Sequence, residues 1–289
     1  MNWFVYHVVS GQAFFTGVIL LIIAALAAGD SRAVFNRMQF LAVFVGIVAI
    51  VVSSTPLSFP VGIAATAVTL AWILLRNRMP WRNWVQPAFV AVWVLAGLAE
   101  VPYHIMPSVN SAVGRSLGII GDSVTAGIGE DETAETWPTL LARKHNLEIQ
   151  DISHVGETAA SALKRAMSQS LDASVVMIEI GGNDILGTTT STQFERDLDA
   201  LLTFLTSADR QIVMFELPLP PFFHEYGRAQ RAMAAKHRVV LIPKRVFLSV
   251  ISDRQATLDT IHLSQSGHQR MADCVWSVVR SAFDAKTPQ

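Results

Sequence analysis

Long uncharged apolar runs in the first 112 residues constrain the fold more than any other feature of this chain. One run extends from Val8 to Gly29, a second from Met38 to Leu75 and a third from Asn83 to Ala99. The second run is long enough for two helices, with the turn-forming sequence Ser53-Ser54-Thr55-Pro56 near its middle. A helix needs about 20 mostly apolar residues to cross a bilayer. We therefore predict a transmembrane region over 1–110 with four helical spans near 8–28, 38–54, 57–75 and 83–100.

Charge is distributed unevenly, which supports a division into a membrane part and a polar part. The 289 residues carry 22 basic and 23 acidic side chains, and 51% of the residues are hydrophobic. This composition excludes a disordered chain, and a single cysteine, Cys274, excludes a disulfide-built scaffold. The chain has no basic tract, so nucleic acid is not an expected partner. Residues 1–112 hold only these charged side chains: Asp30, Arg32, Arg37, Arg76, Arg78, Arg82 and Glu100.

Arginines in two short loops predict the orientation of the spans. Arg32 and Arg37 lie between the first and second spans, and Arg76, Arg78 and Arg82 lie between the third and fourth. The positive-inside rule places both loops in the cytoplasm, which leaves both chain ends outside. We therefore expect an integral protein of a bacterial inner membrane whose C-terminal domain is extracytoplasmic, on the periplasmic side. Tryptophans near the span ends are typical of interfacial aromatic residues: Trp3, Trp72, Trp81 and Trp84.

From about Ser111 the composition becomes that of an ordinary polar domain, which we place over 111–289. Short apolar runs alternate with helical patterns, and this alternation predicts an α/β domain with a five-stranded parallel sheet covered on both faces. In such sheets, sites lie at the carboxyl ends of the strands. The predicted strands are Ser116–Ile120, Glu148–Ile152, Ser174–Ile180, Gln211–Leu217 and Val239–Ile242, and the predicted helices lie near 136–145, 158–170, 193–207, 225–237 and 264–284.

Three predicted strands are followed directly by residues that can carry acyl-transfer chemistry. Gly121-Asp122-Ser123 follows the first strand, and a serine at a helix N-terminus is a candidate nucleophile. Gly156 follows the second strand and can turn its N–H towards a neighbouring loop. Gly181-Gly182-Asn183-Asp184 follows the third, and Asn183 can offer a side-chain N–H. Each pattern alone also fits a structural role: a helix-capping serine, a turn glycine or an Asx turn.

A fourth pattern, Asp259-Thr260-Ile261-His262, precedes the last predicted helix. A carboxylate three residues before a histidine can reach its Nδ1 in a turn, which fixes the tautomer and leaves Nε2 free as a base. An isolated pair at this spacing also occurs in ordinary polar loops. The four patterns in this order nevertheless supply every part of an acyl-transfer site.

The four patterns together resemble the SGNH (GDSL-type) hydrolase family over residues from about 113 to 284. The thioesterase/lysophospholipase-like branch is the most similar, because Trp137-Pro138, Gly156-Glu157-Thr158 and His262-Leu263-Ser264 followed by Gly267 also match it. The resemblance implies a flavodoxin-like three-layer α/β/α fold. The alternative α/β-hydrolase fold is disfavoured, because Thr125 stands where its Gly-x-Ser-x-Gly elbow needs the second glycine.

The resemblance also implies residue roles. Ser123 would be the nucleophile, His262 the general base and Asp259 the residue that orients His262. The oxyanion hole would comprise the backbone N–H of Ser123, the N–H of Gly156 and the side-chain amide of Asn183. One residue departs from the family: Asp151 stands where the second block often has an asparagine, which puts the geometry of that loop in doubt.

These inferences predict a membrane-anchored serine esterase that needs no cofactor or metal. Its expected partners are an acyl-ester substrate and the lipid bilayer, and the sequence does not indicate an oligomeric state. An extracytoplasmic domain has little access to acyl-CoA, so lipid or acyl-chain esters are favoured as substrates. Removal of O-acetyl groups from envelope glycans, acyl transfer to a sugar, and a non-catalytic membrane scaffold are the alternatives.

We also predict roles for further residues, both beside the four patterns and within them. The Leu217–Phe223 segment after the fourth strand lines an acyl pocket, touches the bilayer or forms a rigid apolar loop, and the sequence leaves these alternatives open. We expect Asp122 and Asp184 to form structural hydrogen bonds and His154 to lie in a loop. His268 is expected at the surface or next to the site, and Cys274 is expected to be buried among apolar side chains.

Overall fold

The computed structural model describes residues 1–27, 33–76, 78, 80, 82–128, 135–253, 255–259 and 261–284. The chain divides into two compact units. The sheet unit comprises Met1–Asn2, Ile105–Pro218 and the chain from Ala229 onward, and the helical unit comprises Trp3–His104 and Leu219–Arg228. Some residues used in the sequence predictions lie outside the described residues: Asp30, Arg32, Trp81 and Thr260.

A five-stranded sheet forms the centre of the sheet unit, as predicted. The strands are β1 (Ser116–Gly121), β2 (Glu148–Asp151), β3 (Val175–Glu179), β4 (Gln211–Phe215) and β5 (Val240–Ile242). All neighbouring strands pair in parallel, in the order β2-β1-β3-β4-β5. This is the flavodoxin-like order, in which the direction of winding reverses between β1 and β3. Strands β1 and β3 are buried almost throughout, which explains why their sequences are largely apolar.

Helices connect the strands of the sheet unit and cover the sheet. Their starts are set by polar caps: the Thr158 hydroxyl accepts from the Ser161 N–H at 3.3 Å, and the Ser264 hydroxyl accepts from the Gly267 N–H at 3.2 Å. Three short helices were not predicted: Ser123–Ala126, Gly182–Leu186 and Lys244–Ile251. In chain order the helices are α6 (Ser123–Ala126), α7 (Trp137–His145), α8 (Ala159–Ser168), α9 (Gly182–Leu186), α10 (Ser191–Leu205), α11 (His224–Lys236), α12 (Lys244–Ile251) and α13 (Gln265–Phe283).

The helical unit is built from apolar helices, followed by a single 3-10 turn at Val101–His104. Gly17 and Gly46 allow two of its helices to approach closely, because a Cβ on Gly17 would lie 2.6 Å from the Gly46 carbonyl oxygen. Trp72 and Phe89 stack in the core of the unit, with ring centroids 4.7 Å apart. The helices are α1 (Trp3–Val9), α2 (Gln12–Leu26), α3 (Ala33–Val52), α4 (Phe59–Leu75) and α5 (Arg82–Glu100).

Four membrane-spanning helices are not confirmed. Within the described residues, only the Asn83–His104 stretch is by itself long and apolar enough to cross a bilayer. The first predicted span, 8–28, is wrong as a single helix, because α1 and α2 meet at an 84° bend. Gly11 lies at φ +85°, a left-handed conformation that breaks the helix there. The Arg37–Val52 and Phe59–Leu75 helices are apolar but shorter.

The Leu219–Arg228 segment packs within the helical unit, although it follows β4 in the sequence. It is fixed to the Ser53–Pro56 turn by polar contacts. The Leu219 N–H donates to the Ser54 hydroxyl at 3.1 Å, and His224 Nε2 lies 2.6 Å from the Ser53 carbonyl oxygen. The division between the two units therefore falls inside α11.

Candidate active site

The candidate site lies at the carboxyl ends of β1, β2 and β3, where the strand order predicts it. Gly121 ends β1 because its Cα faces Thr125: an added Cβ would lie 2.2 Å from the Thr125 Oγ1. The chain then turns directly into α6. Asp122 caps this helix, since its Oδ1 accepts from the Val124 N–H at 2.9 Å. This tight turn places Ser123, which is only partly buried, at the first position of α6.

A hydrogen-bond chain joins the three side chains expected to act as a triad. Ser123 Oγ lies 3.2 Å from His262 Nε2, and His262 Nδ1 lies 2.6 Å from Asp259 Oδ2. A carboxylate can only accept, so the proton of the neutral imidazole belongs on Nδ1 and Nε2 is free to accept the Ser123 hydroxyl. Residues 139 positions apart in the sequence are thus brought into contact.

The loop that carries Asp259 and His262 is held closed by its own backbone. Asp259 Oδ1 accepts from the N–H groups of Ile261 at 2.7 Å and His262 at 2.9 Å. The Leu258 N–H donates to the His262 carbonyl oxygen at 2.8 Å. These backbone hydrogen bonds, led by that of Ile261, and the bond to His262 hold the pKa of Asp259 well below its usual range. Asp259 is therefore an anion at all physiological pH values and can hold the imidazole in one orientation.

Gly267 lets α13 pack against the loop before it. A Cβ at this position would lie 1.9 Å from the Ala256 carbonyl oxygen, so no larger residue fits without moving the backbone. The Ser264 N–H donates to the same Ala256 oxygen at 2.9 Å. Gly267, in the sequence after Leu263, thus helps to fix the position of His262.

The Asn183 side chain connects the two loops expected to form the oxyanion hole. Its Nδ2 donates to the Glu157 carbonyl oxygen at 3.0 Å and to Asp122 Oδ2 at 3.2 Å. Glu157 follows Gly156, and Asp122 precedes Ser123, so the amide lies between the loops of both residues. Gly156 is exposed at φ +76°, with open space where a side chain would stand.

A pair of buried carboxyl groups lies behind the candidate nucleophile. Asp122 and Glu179 hydrogen-bond each other, and the Thr125 hydroxyl donates to Glu179 Oε2 at 2.9 Å. Burial raises the pKa of Asp122, and burial together with the neighbouring Asp122 charge raises the pKa of Glu179 well above its ordinary value. These shifts favour the protonated form of Glu179, which can donate to Asp122.

Sequence reasoning missed Glu179, which was read only as a strand residue. The available signal was a charged residue inside the apolar run Ser174–Ile180, because glutamate is almost never fully buried unless it has a partner. Asp122 and Asp184 are structural hydrogen-bond acceptors, in line with expectation. Asp184 accepts from the Ala159 N–H at 3.0 Å, and burial raises its pKa to about 6.

The remaining histidines and Cys274 lie apart from the hydrogen-bond chain. His154 is an exposed loop residue, as expected. His268 is buried rather than at the surface: its Nδ1 accepts from the Trp137 N–H at 3.2 Å, and burial lowers its pKa. Burial raises the pKa of Cys274 to about 12, so its thiol stays protonated. Asp151 accepts from the Ser153 N–H at 2.9 Å and so shapes its own loop.

No metal site is evident in the part of the chain that the structure describes. No group of three or more His, Cys, Asp or Glu side chains there has a geometry that could hold a metal ion. Ser123 at the end of β1 instead joins His262 and Asp259 of the loop before α13 in a hydrogen-bond chain, and the Asn183 amide lies beside the Ser123 loop. This arrangement is suited to acyl transfer.

Residues 119–270 match the GDSL-like Lipase/Acylhydrolase family, which is just over half of the chain. Esterase TesA of Pseudomonas aeruginosa is 26% identical over 185 residues, which cover 59% of this chain and 90% of that protein. Thioesterase 1/protease 1/lysophospholipase L1 of Escherichia coli K12 is 29% identical over 130 residues, which cover 44% of this chain and 61% of that protein.

Solved structures with the same fold agree with this family match. The crystal structure of TesA aligns with 57% of this chain and 98% of its own, at 25% identity and a TM-score of 0.50. The psychrotrophic esterase EstA from Pseudoalteromonas sp. aligns with 60% of this chain and all of its own, at 19% identity and a TM-score of 0.53, and supports the fold alone. The family match, the relatives and the fold agree, and the chain belongs to the GDSL-like lipase/acylhydrolase family of ester-hydrolysing enzymes.

Proposed function

We propose that this protein is a membrane-anchored serine esterase in which Ser123, His262 and Asp259 form the catalytic triad. The observation that carries the proposal is the continuous hydrogen-bond chain from Ser123 Oγ through both ring nitrogens of His262 to Asp259. Each link has the polarity that the chemistry needs, because the carboxylate fixes the tautomer that leaves Nε2 basic.

The reaction proceeds through an acyl-enzyme. His262 Nε2 takes the hydroxyl proton as Ser123 Oγ attacks the ester carbonyl carbon, and the Asp259 carboxylate stabilises the imidazolium that forms. The tetrahedral intermediate collapses, the bond to the alcohol oxygen breaks, and His262 returns the proton to that oxygen. Water then attacks the acyl-enzyme with the same help, releasing the acid and restoring Ser123.

The backbone N–H groups of Ser123 and Gly156 and the Asn183 amide are the proposed donors to the oxyanion. In the structure without substrate, both hydrogens of Asn183 Nδ2 have protein acceptors, Asp122 Oδ2 and the Glu157 carbonyl. The longer of these bonds is the one to Asp122. We expect the substrate oxygen to draw this hydrogen away from Asp122 as negative charge develops on it. Loss of one such donor typically reduces kcat by about 10²–10³-fold.

Membrane anchoring by the helical unit is the second part of the proposal. Its outward side chains are apolar: Phe40 is 68% exposed, Ile63 68% and Leu74 71%. Several of its polar side chains form hydrogen bonds inside the unit, as the Gln39 amide does with the Ala24 carbonyl oxygen at 2.7 Å. Such an outward apolar surface is stable in lipid and is costly in water. The arginine loops support an extracytoplasmic position for the Ser53–Pro56 turn and the esterase, by the positive-inside rule.

Lipid or acyl-chain esters are the proposed substrates, because a membrane-anchored enzyme outside the cytoplasm meets them directly. The test is a ladder of p-nitrophenyl esters from acetyl to palmitoyl, hydrolysed by the full chain in nanodiscs. The proposal predicts the highest kcat/KM for acyl chains of six carbons or more. A clear preference for acetyl would instead indicate O-acetyl ester removal.

Ser123→Ala is the control in the same assay, and Ser277→Ala, an exposed serine on α13, is the matched variant that should remain active. Activity that survives in Ser123→Ala would refute the proposed nucleophile. Absence of activity towards every ester in the wild-type chain would favour a non-catalytic scaffold.

A further inference from the structure

A groove in the helical unit combines an apolar floor with a cation at one end. Its volume is about 650 Å³, within the usual range of about 300–1,000 Å³ for ligand sites. We call it the α4 groove. It is bounded by the Phe59–Leu70 face of α4, by Ile50 and Val51 of α3, and by Phe222, His224 and Arg228 of the Leu219–Arg228 segment.

The floor of the groove follows one face of α4. Phe59, Gly62, Thr66 and Leu70 recur at helical spacing and line it over about three turns. This face is about 16 Å long, from the rise of 1.5 Å per residue. The hydrocarbon part of one membrane leaflet is about 15 Å thick, half of the bilayer core. The floor thus matches one extended acyl chain in length.

Arg228 closes the groove at the Phe59 end. Its guanidinium carbon lies 4.3 Å from the centroid of the Phe59 ring, a cation–π contact that holds the charge at this end. The Arg228 Nε is buried and has no hydrogen-bond partner among the described residues. A buried guanidinium N–H without an acceptor is costly, and an anionic oxygen beside the guanidinium would offset that cost.

The Leu219–Arg228 segment is held in place, so the cation is preorganised. Gly227 permits close contact with the Ser53–Pro56 turn, because a Cβ there would lie 2.8 Å from Pro56 Cγ. His224 is bound to the Ser53 carbonyl oxygen at 2.6 Å. A fixed cation beside an apolar trough suits a ligand whose anionic head and apolar chain are joined end to end.

We propose that the α4 groove binds one acyl chain of an anionic membrane phospholipid, with the lipid phosphate at Arg228. The inference rests on the membrane placement proposed above, because the Phe59 end of α4 then lies at the extracytoplasmic surface, where phosphates occur. It does not depend on the chemistry of Ser123. The residues that line the groove belong to the helical unit, whereas the candidate catalytic residues belong to the sheet unit.

The test titrates the full chain in detergent with dioleoyl-phosphatidylglycerol and counts bound lipid by native mass spectrometry. Dioleoylglycerol, which has the same chains and no phosphate, is the head-group control. Arg228→Gln is expected to weaken phosphatidylglycerol binding about tenfold and to leave dioleoylglycerol binding unchanged. Arg78→Gln, an exposed arginine outside the groove, should bind both lipids as the wild type does.

Filling the groove tests the acyl-chain part of the proposal. A Cβ on Gly62 meets no atom within 4 Å, so Gly62→Leu projects into open space and improves helix propensity. We expect it to weaken binding of both lipids at least about tenfold, whereas Gly62→Ala has little effect. Thr66→Phe, at an exposed position of the same face, replaces Gly62→Leu if circular dichroism shows that the latter does not fold.

Two results would overturn the proposal. One is phosphatidylglycerol binding that neither Arg228→Gln nor Gly62→Leu changes, and the other is an Arg228→Gln variant that loses both lipids equally. Ser123→Ala separates this inference from the proposed function: it should bind phosphatidylglycerol like the wild type while its esterase activity is lost.

Discussion

The two units of this chain place their apolar and polar groups in opposite ways. The sheet unit buries mostly apolar strands such as Val175–Glu179, in which Glu179 is the one charged residue, and exposes polar helix faces. The helical unit exposes large apolar side chains such as Phe40 and Leu74, and forms some of its side-chain hydrogen bonds inside. Trp93 Nε1, for example, donates to the buried Thr69 hydroxyl at 3.0 Å. The first pattern suits a domain in water, and the second agrees with the proposal that the helical unit lies in lipid.

The units also differ in what close packing achieves. In the sheet unit, glycines at Gly121 and Gly267 allow backbone turns that bring Ser123 and His262 together. In the helical unit, Gly17 and Gly46 allow two helices to approach, and the atoms nearest to an added Cβ belong to Leu21, Ile50 and the glycine backbone. The same residue type therefore supports chemistry in one unit and helix association in the other.

The largest expected effect belongs to the sheet unit. Ser123→Ala should lower kcat/KM for a preferred ester by at least about 10³-fold, because nothing else can form the acyl-enzyme. The unfolding midpoint should change little, since the hydroxyl is at the surface of the site. A steady-state assay with thermal unfolding in parallel checks both statements. If kcat/KM falls by less than tenfold, Ser123 is not the nucleophile, and the sheet unit is not distinguished from the helical unit by this chemistry.

The next largest effect is a difference in stability between two glycine substitutions of the helical unit, one in a close helix contact and one facing open space. Gly17→Ala places a Cβ 2.6 Å from the Gly46 carbonyl oxygen and should cost about 1–3 kcal/mol in unfolding free energy. Gly62→Ala meets no neighbour and should be neutral or stabilising by up to about 1 kcal/mol. Chemical unfolding in detergent, followed by tryptophan fluorescence, compares them. Equal stabilities would mean that α2 and α3 do not pack as described.

A similar loss of unfolding free energy is expected when the buried carboxyl pair of the sheet unit, Asp122 and Glu179, is broken. Glu179→Ala removes the buried acceptor of the Thr125 hydroxyl and one of the partners of Asp122, and should destabilise by about 1–3 kcal/mol. Glu179→Gln keeps a neutral donor and should retain near wild-type stability and an unchanged pH–rate profile. The Gln variant is decisive, because a profile shifted by this substitution would mean that Glu179 is ionised in the native state.

The smallest effect is a pH dependence of stability at Asp184. Its pKa rises from 3.8 to about 6 because of burial, so folding favours the protonated form. This contribution is complete below the unfolded pKa and is lost as pH rises through about 6. Asp184→Asn cannot ionise, so its unfolding midpoint relative to the wild type should increase between pH 5 and pH 8. If the difference in unfolding midpoint between the two proteins does not change with pH, the pKa of Asp184 is not raised by burial.

Much of the sheet unit could be predicted, because local sequence and strand order determine it. The five strands begin and end within about two residues of their predicted bounds. Strand β4 stops at Phe215 instead of Leu217 for a reason that no local pattern reveals: the Leu217 N–H donates to the Gln230 side chain at 2.9 Å. A tertiary hydrogen bond thus replaces the ladder at this point.

The helical unit was harder to predict from sequence. Hydropathy located its apolar segments but not the bend at Gly11, which depends on one left-handed glycine in a continuous apolar run. The packing of the Leu219–Arg228 segment against the Ser53–Pro56 turn was also beyond the sequence, because it joins residues more than 160 positions apart. Ser123, His262 and Asp259 were proposed as site residues from the motifs and the family resemblance, and they lie in hydrogen-bond contact. Glu179 was hidden within an apolar strand.

The central claim is that the chain from Asp259 through His262 activates Ser123. Fluorophosphonate labelling of the full chain, followed by peptide mass spectrometry, tests it most directly, because the probe reacts with activated serines. The account predicts one adduct on the peptide that contains Ser123, none in Ser123→Ala, and labelling slowed by at least about 10²-fold in His262→Ala. Equal labelling of the wild type and Ser123→Ala, or an adduct on another serine, would contradict it.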